Sequence, residues 1–166
     1  MTIAAAALPA TRGAVGDWWE VTPGERFVIR TSVTQTDGAY TMLEVEADPR
    51  NGVPLHVHAN EEEFFVILEG RVHLVNGEQT VELTAGDVVT VRRGTPHAWC
   101  NISDRLVRML IIFSPGNLEK TFRLIGSLKS DDLAAILASN ESDGSTVVGP
   151  PPFDGIYSVL SPRPKP

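Results

Sequence analysis

The chain has 166 residues, of which 42% are hydrophobic and 21% charged, a balance that suits one globular domain and excludes a disordered chain. Its net charge of −7 argues against nucleic acid or an anionic membrane surface as a partner. No stretch approaches the roughly 20 apolar residues that span a bilayer, and the lone cysteine, Cys100, rules out an intrachain disulfide. A reducing compartment, the cytoplasm, is the expected location.

Residues 1–24 read as an N-terminal arm, with Trp18-Trp19 as its anchor; the apolar opening lacks the positive flank of a signal peptide. Residues 25–113 read almost wholly as strands. Phe27 to Thr34 is rich in β-branched residues, and Thr36-Asp37-Gly38 supplies a turn. Tyr40 to Glu46 follows, closed by Asp48-Pro49-Arg50-Asn51-Gly52. Glu63 to Glu69 and Arg71 to Val75 are separated by Gly70, and Asn76-Gly77 reads as a type I′ hairpin turn into Gln79 to Leu83. Val88 to Val91, His97 to Asn101 and Arg105 to Phe113 complete the set. Short strands with turns every 8–12 residues predict an all-β sandwich or barrel.

The pattern then changes. Over residues 114–140, Leu118, Thr121, Phe122 and Ile125 recur at near-helical spacing, and a second short helix is expected from Ser130, with Leu133, Ile136 and Leu137 as its packed stripe. Residues 141–166 hold Pro150-Pro151-Pro152 and a Pro-Arg-Pro-Lys-Pro end, and read as a tail without regular structure.

The chemistry-bearing residues concentrate in two blocks. The first runs from Gly52 through His56, His58 and Glu61-Glu62-Glu63 to Gly70; the second runs from Gly86 through Gly94 and His97 to Asn101. His56 and His58 are two apart, so on a strand both imidazoles face one side. Joined by a third imidazole and a carboxylate, they form a mixed nitrogen and oxygen set suited to a divalent transition metal.

These blocks resemble the paired motifs of the cupin superfamily. Its first motif, Gly-x5-His-x-His-x(3,4)-Glu-x6-Gly, is met by His56, His58, Glu63 and Gly70; its second, Gly-x5-Pro-x-Gly-x2-His-x3-Asn, by Gly86, Gly94, His97 and Asn101. The first glycine is displaced, since position 50 is Arg and Gly52 stands only four before His56, and Arg92 stands where the family has Pro. The resemblance implies a double-stranded β-helix, or jelly-roll barrel, with short C-terminal helices, in which His97 joins the other ligands from a neighbouring strand. The stretch after Ser114-Pro115-Gly116 is also similar to small single-domain cupins of the quercetin-dioxygenase-like kind.

On this resemblance the metal ligands are His56, His58, Glu63 and His97, holding Fe, Mn, Ni, Zn, Co or Cu. Glu63 is preferred because it keeps the six-residue gap to Gly70, with Glu62 as the fallback. Glu63 is also the candidate catalytic base for a substrate hydroxyl proton. Trp99 shares the face of His97, and Phe65 that of Glu63; each either lines a substrate pocket or fills the barrel, as do Tyr40 and Met42 on the earlier strand. His73 and Arg92-Arg93 read as surface residues, and Cys100 as a small buried hydrophobe.

The implied function is a metal-dependent oxygenase acting on a small aromatic or enolic compound. A metal-dependent isomerase, cyclase or decarboxylase and a non-catalytic ligand-binding cupin are the alternatives. Exposed edge strands and the Trp18-Trp19 anchor point to a homodimer.

Overall fold

The computed structural model describes residues 17–127, 141 and 143–158. Eleven strands in these residues form two antiparallel sheets. The six-stranded sheet contains β1 (Trp19–Thr22), β2 (Glu25–Thr31), β3 (Thr41–Ala47), β10 (Val107–Ser114), β5 (Glu62–Glu69) and β8 (Val88–Val91), in that spatial order. The five-stranded sheet is ordered β11 (Ser145–Gly149), β4 (Leu55–His58), β9 (His97–Cys100), β6 (Arg71–Asn76) and β7 (Gln79–Thr84). This is the jelly roll, built as two facing sheets and not closed into a continuous hydrogen-bonded barrel.

The two-residue period of a strand decides which side chains meet between the sheets. Along β10, Val107, Met109, Ile111 and Phe113 are buried while Arg108, Leu110, Ile112 and Ser114 are only half-buried. β5 repeats the pattern with Glu63, Phe65 and Ile67 inward. Phe27, Ile29, Leu43, Leu74 and Trp99 complete a core in which each fully buried large side chain contributes roughly 1.5–3 kcal/mol. β9 is buried on both faces, so Ala98 and Cys100 are as enclosed as His97 and Trp99.

Four local readings are corrected. The strand expected to run to Thr34 ends at Thr31, because Ser32 caps a 3₁₀ turn over Val33–Thr36 and Gln35 returns its side chain to the Ser32 amide at 2.8 Å. The Asn76-Gly77 turn is shifted by one residue: Asn76 pairs with Gln79, and only Gly77 of the two central residues has positive φ, so the turn is not type I′. The supposed tail contains β11, in which Thr146, Val147 and Val148 suit a strand and which pairs with β4 through Ser145, Thr146, Val147 and Gly149. The N-terminal arm likewise enters the sheet as β1, with Trp19 edge-on to Phe27 at 5.4 Å between ring centres. Trp19 is therefore half-buried against the core, and Trp18 lies over the Arg26 guanidinium.

After β10, helix α1 (Glu119–Ser127) packs against β1, with Gly126 against the Trp19 ring. Buried Glu119 fastens it: Ser32 Oγ, Thr41 Oγ1, the Val33 amide and Arg123 all donate to its carboxylate. Phe122 then packs against Phe27 and Phe113. The helix expected from Ser130 lies outside the described residues.

Candidate metal centre

β4 and β9 lie side by side with His56 directly opposite His97, and β5 brings Glu63 from the facing sheet. His56 and His58 share a strand face, so three imidazoles and one carboxylate converge; one ligand atom from each lies within 4.8 Å of all the others. Ring centres are 4.1 Å apart for His56 and His97, 4.9 Å for His56 and His58, and 5.1 Å for His58 and His97. Glu63 Oε2 is 2.7 Å from His97 Nε2 and 3.2 Å from His58 Nε2.

The backbone orients the rings. Nδ1 of His56 lies 2.8 Å from the Pro54 carbonyl and Nδ1 of His97 lies 2.9 Å from the Thr95 carbonyl. A proton on each Nδ1 leaves the other ring nitrogen free to coordinate, the arrangement common among metal-bound histidines. His58 is buried, and neither ring nitrogen has a well-aligned hydrogen-bond partner among the described residues. A buried imidazole left so is costly unless a ligand satisfies it. The donor set and its spacing fit a divalent transition ion.

Electrostatics reflect the crowding of these groups. Burial pushes the His56 pKa down to about 3, with help from the charges of His97 and His58. Burial also disfavours charge on His97, but the Glu63 carboxylate beside it outweighs this and raises its pKa. For Glu63, burial works upward, yet the imidazole charge at His97 and the close approach of both histidines hold it below the usual carboxylate range. Charge is thus disfavoured on His56 and favoured on His97.

The structure brings together His56, His58, Glu63 and His97, and leaves the neighbouring glutamates out. Glu62 points the other way, 4.0 Å from Arg93. Glu61 is buried with neither carboxyl oxygen hydrogen-bonded among the described residues, and it lies outside the cluster. His73 is on the β6–β7 hairpin, 2.9 Å from Glu82. Asn101, the last fixed residue of the second motif, ties its loop to β3 by donating to the Ala47 carbonyl at 3.0 Å and accepting from Ser103. Gly52, the displaced glycine, packs where a Cβ would come within 2.5 Å of the Trp99 carbonyl. Its lack of a side chain lets the chain before β4 lie on β9, which holds His56 against His97.

The cluster opens into a cavity of about 120 Å³ whose walls include Trp99, Ile111, Phe113, Val53 and Phe122. Trp99 therefore lines the space beside the histidines. Phe65 is fully buried in the core and is not part of this wall. Tyr40 and Met42 are displaced further: Met42 shares the outer face of β3 with Glu44 and Glu46, and Tyr40 precedes the strand on that side. Strand alternation puts Tyr40 and Met42 on one side of β3 but does not say which side is inward. Phe113 was missed because its position opposite Glu63 depends on the β10–β5 register. Glu25, also on the wall, carried no motif.

The Cupin domain family matches residues 43–113, the stretch that carries β3 to β10 and all four cluster residues. Over these residues the chain is similar to the cupin family. The chain is 25% identical over 111 residues to the quercetin 2,3-dioxygenase of Bacillus subtilis (strain 168), covering 63% of the chain and 33% of that enzyme. It thus spans a third of that relative's length. Among solved structures, KdgF from Halomonas sp. superposes with a TM-score of 0.57 at 18% identity, covering 63% of this chain and 91% of that one. An RmlC-like cupin from Shewanella frigidimarina gives 0.55 at 16% identity, covering 66% and 93%. At these identities the structural likeness speaks for the fold alone. No helix among the described residues is long and apolar enough to cross a membrane.

Proposed function

We propose that this chain is a metal-dependent cupin oxygenase that acts on a small aromatic or enolic compound bound beside the histidine cluster. The observation that carries the reading is the opening of His56, His58 and Glu63 onto an apolar cavity walled by Trp99 and Phe113. The similarity to a quercetin dioxygenase supports the reaction class. A redox-capable ion in this set would supply the electron transfer that dioxygen chemistry needs.

The chain's own residues would bind and deprotonate. Flat apolar walls suit an aromatic ring and keep water from it. Both histidine contacts to Glu63 are to Oε2, so Oε1 remains to take the proton of a phenol or enol. Size narrows the substrate: a cavity near 150 Å³ holds one benzene ring, so this one suits a single ring or short chain more than a three-ring flavonol. The ion itself is proposed as Fe, Mn, Ni, Co, Cu or Zn, because the donor set accepts each according to supply.

The deciding assay compares conversion of one substrate, found from a panel of phenols and enols, in air and under strict anaerobiosis for protein loaded with each metal. Loss of turnover without oxygen is expected. Unchanged conversion would transfer the reading to an isomerase, cyclase or decarboxylase, and binding without any conversion to a ligand-binding cupin.

For assembly we propose a homodimer in the cytoplasm, without nucleic acid or membrane partners. Support comes from the outer face of the six-stranded sheet. There Met42, Ile112 and Phe64 lie in register across β3, β10 and β5, beside Leu110, Val66 and the largely exposed Val88. Light scattering should give about twice 18.0 kDa; a monomer at micromolar concentration would refute it.

A further inference from the structure

The wall of the metal cavity holds a second carboxyl that the cluster does not use. Glu25 opens β2, is 6% exposed, and lines the same space as His56, Glu63 and Trp99. Its level is that of Ala47 on β3, whereas Glu63 is level, through Phe113, with Thr41 at the other end of that strand. The two carboxyls therefore stand at different ends of the register. Between them the wall is mainly apolar, including Phe27, Val45 and Ile111.

Glu25 is also under-satisfied. Thr22 Oγ1 donates to Oε2 at 3.3 Å, and Oε1 has no hydrogen-bond partner among the described residues. The charged groups on neighbouring elements are engaged elsewhere. Glu20 accepts from the Gly24 amide, Arg26 pairs outward with Glu46, and Asp48 lies against Gly24. On α1, Glu119 holds Arg123 and Lys120 holds Asp143. His56 faces the same cavity from β4. With no cation against it among the described residues, burial raises the Glu25 pKa to about 7.

A carboxyl in an apolar wall costs stability unless it serves something. We propose that Glu25 is the specificity-determining residue at the far end of this cavity, donating a hydrogen bond to a neutral polar group on a substrate whose acidic end meets the histidine cluster. The substrate class is then a phenol or enol bearing an uncharged hydroxyl, carbonyl or amide at its other end. This rests on the cavity being the substrate site, as proposed above.

The test uses full-length zinc-loaded protein and two probe series: 4-alkylphenols of increasing chain length, and the same compounds ending in a hydroxyl. Calorimetry gives the affinity ratio within each matched pair, so effects at the phenol end cancel. At the best-fitting length, Glu25→Leu should lower the ratio of hydroxyl-ended to plain probe by roughly tenfold, as a polar group left unpaired on burial does. Glu25→Gln, which still donates, should keep it. In wild-type protein the ratio should fall as pH rises through about 7, and in Glu25→Gln it should stay level. A pH-independent wild-type ratio, an unchanged ratio in Glu25→Leu at every length, or no binding of either series would each overturn the assignment. Zinc content and plain-alkylphenol affinity report separately on the metal reading, so the two cannot fail unnoticed together.

Discussion

Glu63 and Glu25 line one cavity, both nearly sealed from water, yet they end in opposite states. Burial raises the pKa of each. At Glu63 the cationic form of His97 and the closeness of His58 reverse the effect, so the carboxylate is ionised well below the usual range. At Glu25 only a hydroxyl answers, and the shift to about 7 survives. One end of the cavity is thus built to hold charge, and the other to hold a proton. The lesson is that burial sets no ionisation state by itself; the partner within hydrogen-bond reach does.

The largest expected effect tests the charged end. His97→Ala removes a ligand and should lower metal affinity by more than 100-fold, beyond what loss of an outer hydrogen-bond partner usually does. His73→Ala, on the exposed hairpin with Glu82, should leave metal content unchanged. Elemental analysis of both variants decides; equal occupancy would mean that the cluster is not where the metal binds. Binding should also weaken as pH falls, because His97 holds its proton to higher pH than an ordinary histidine and coordination must displace it.

Next comes the role of Glu63 as base. Glu63→Gln should lower turnover on the order of 10²-fold while losing far less metal, since an amide can still offer an oxygen ligand but cannot take a proton. Parallel losses of rate and metal would reduce Glu63 to a ligand only.

The protonated end has its own signature in stability. With a folded pKa near 7 against 4.5 unfolded, the native state holds a proton that the unfolded state has released between those values. Stability therefore falls as pH rises from about 4.5 to 7, by on the order of 3 kcal/mol at about 1.4 kcal/mol per unit. Glu25→Gln should remove that slope in urea melts at several pH values. An identical slope in the variant would show that Glu25 is ionised in the native state.

A smaller effect concerns the strand between the two ends. Gly52→Ala would place a Cβ 2.5 Å from the Trp99 carbonyl, where only backbone movement gives relief. A loss of about 1–3 kcal/mol is expected, read from denaturant midpoints. Trp99 fluorescence should shift in the same variant, because β9 carries both that wall and His97.

Period and spacing carry far in this chain. The two-residue gap between His56 and His58 needs only an extended backbone to bring both rings to one face, and their shared strand is β4. The motif spacing selected Glu63 over Glu61 and Glu62, and it is Glu63 that joins the cluster. Strand alternation placed Trp99 with His97. It puts Tyr40 and Met42 on one side of β3 without saying which face is inward; the outer face, where Met42 stands, also carries ion pairs such as Arg30 with Glu44 at 2.6 Å. The residues called a tail were judged by their prolines, whereas the β-branched Thr146-Val147-Val148 had an open strand edge at β4 to complete.

The sequence by itself determined the strand-rich class and the shared face of the histidine pair, because these depend on local spacing and short-range backbone geometry; Glu63 and His97 are implied by the resemblance to the cupin motifs. Only the tertiary structure decided that Phe113 stands opposite Glu63, that α1 roofs the cavity through Glu119, and that Glu25 shares that cavity. Those facts depend on registers between strands far apart in the chain. A register is a sum of many weak pairings and side-chain fits across the sheet, and no single segment contains it.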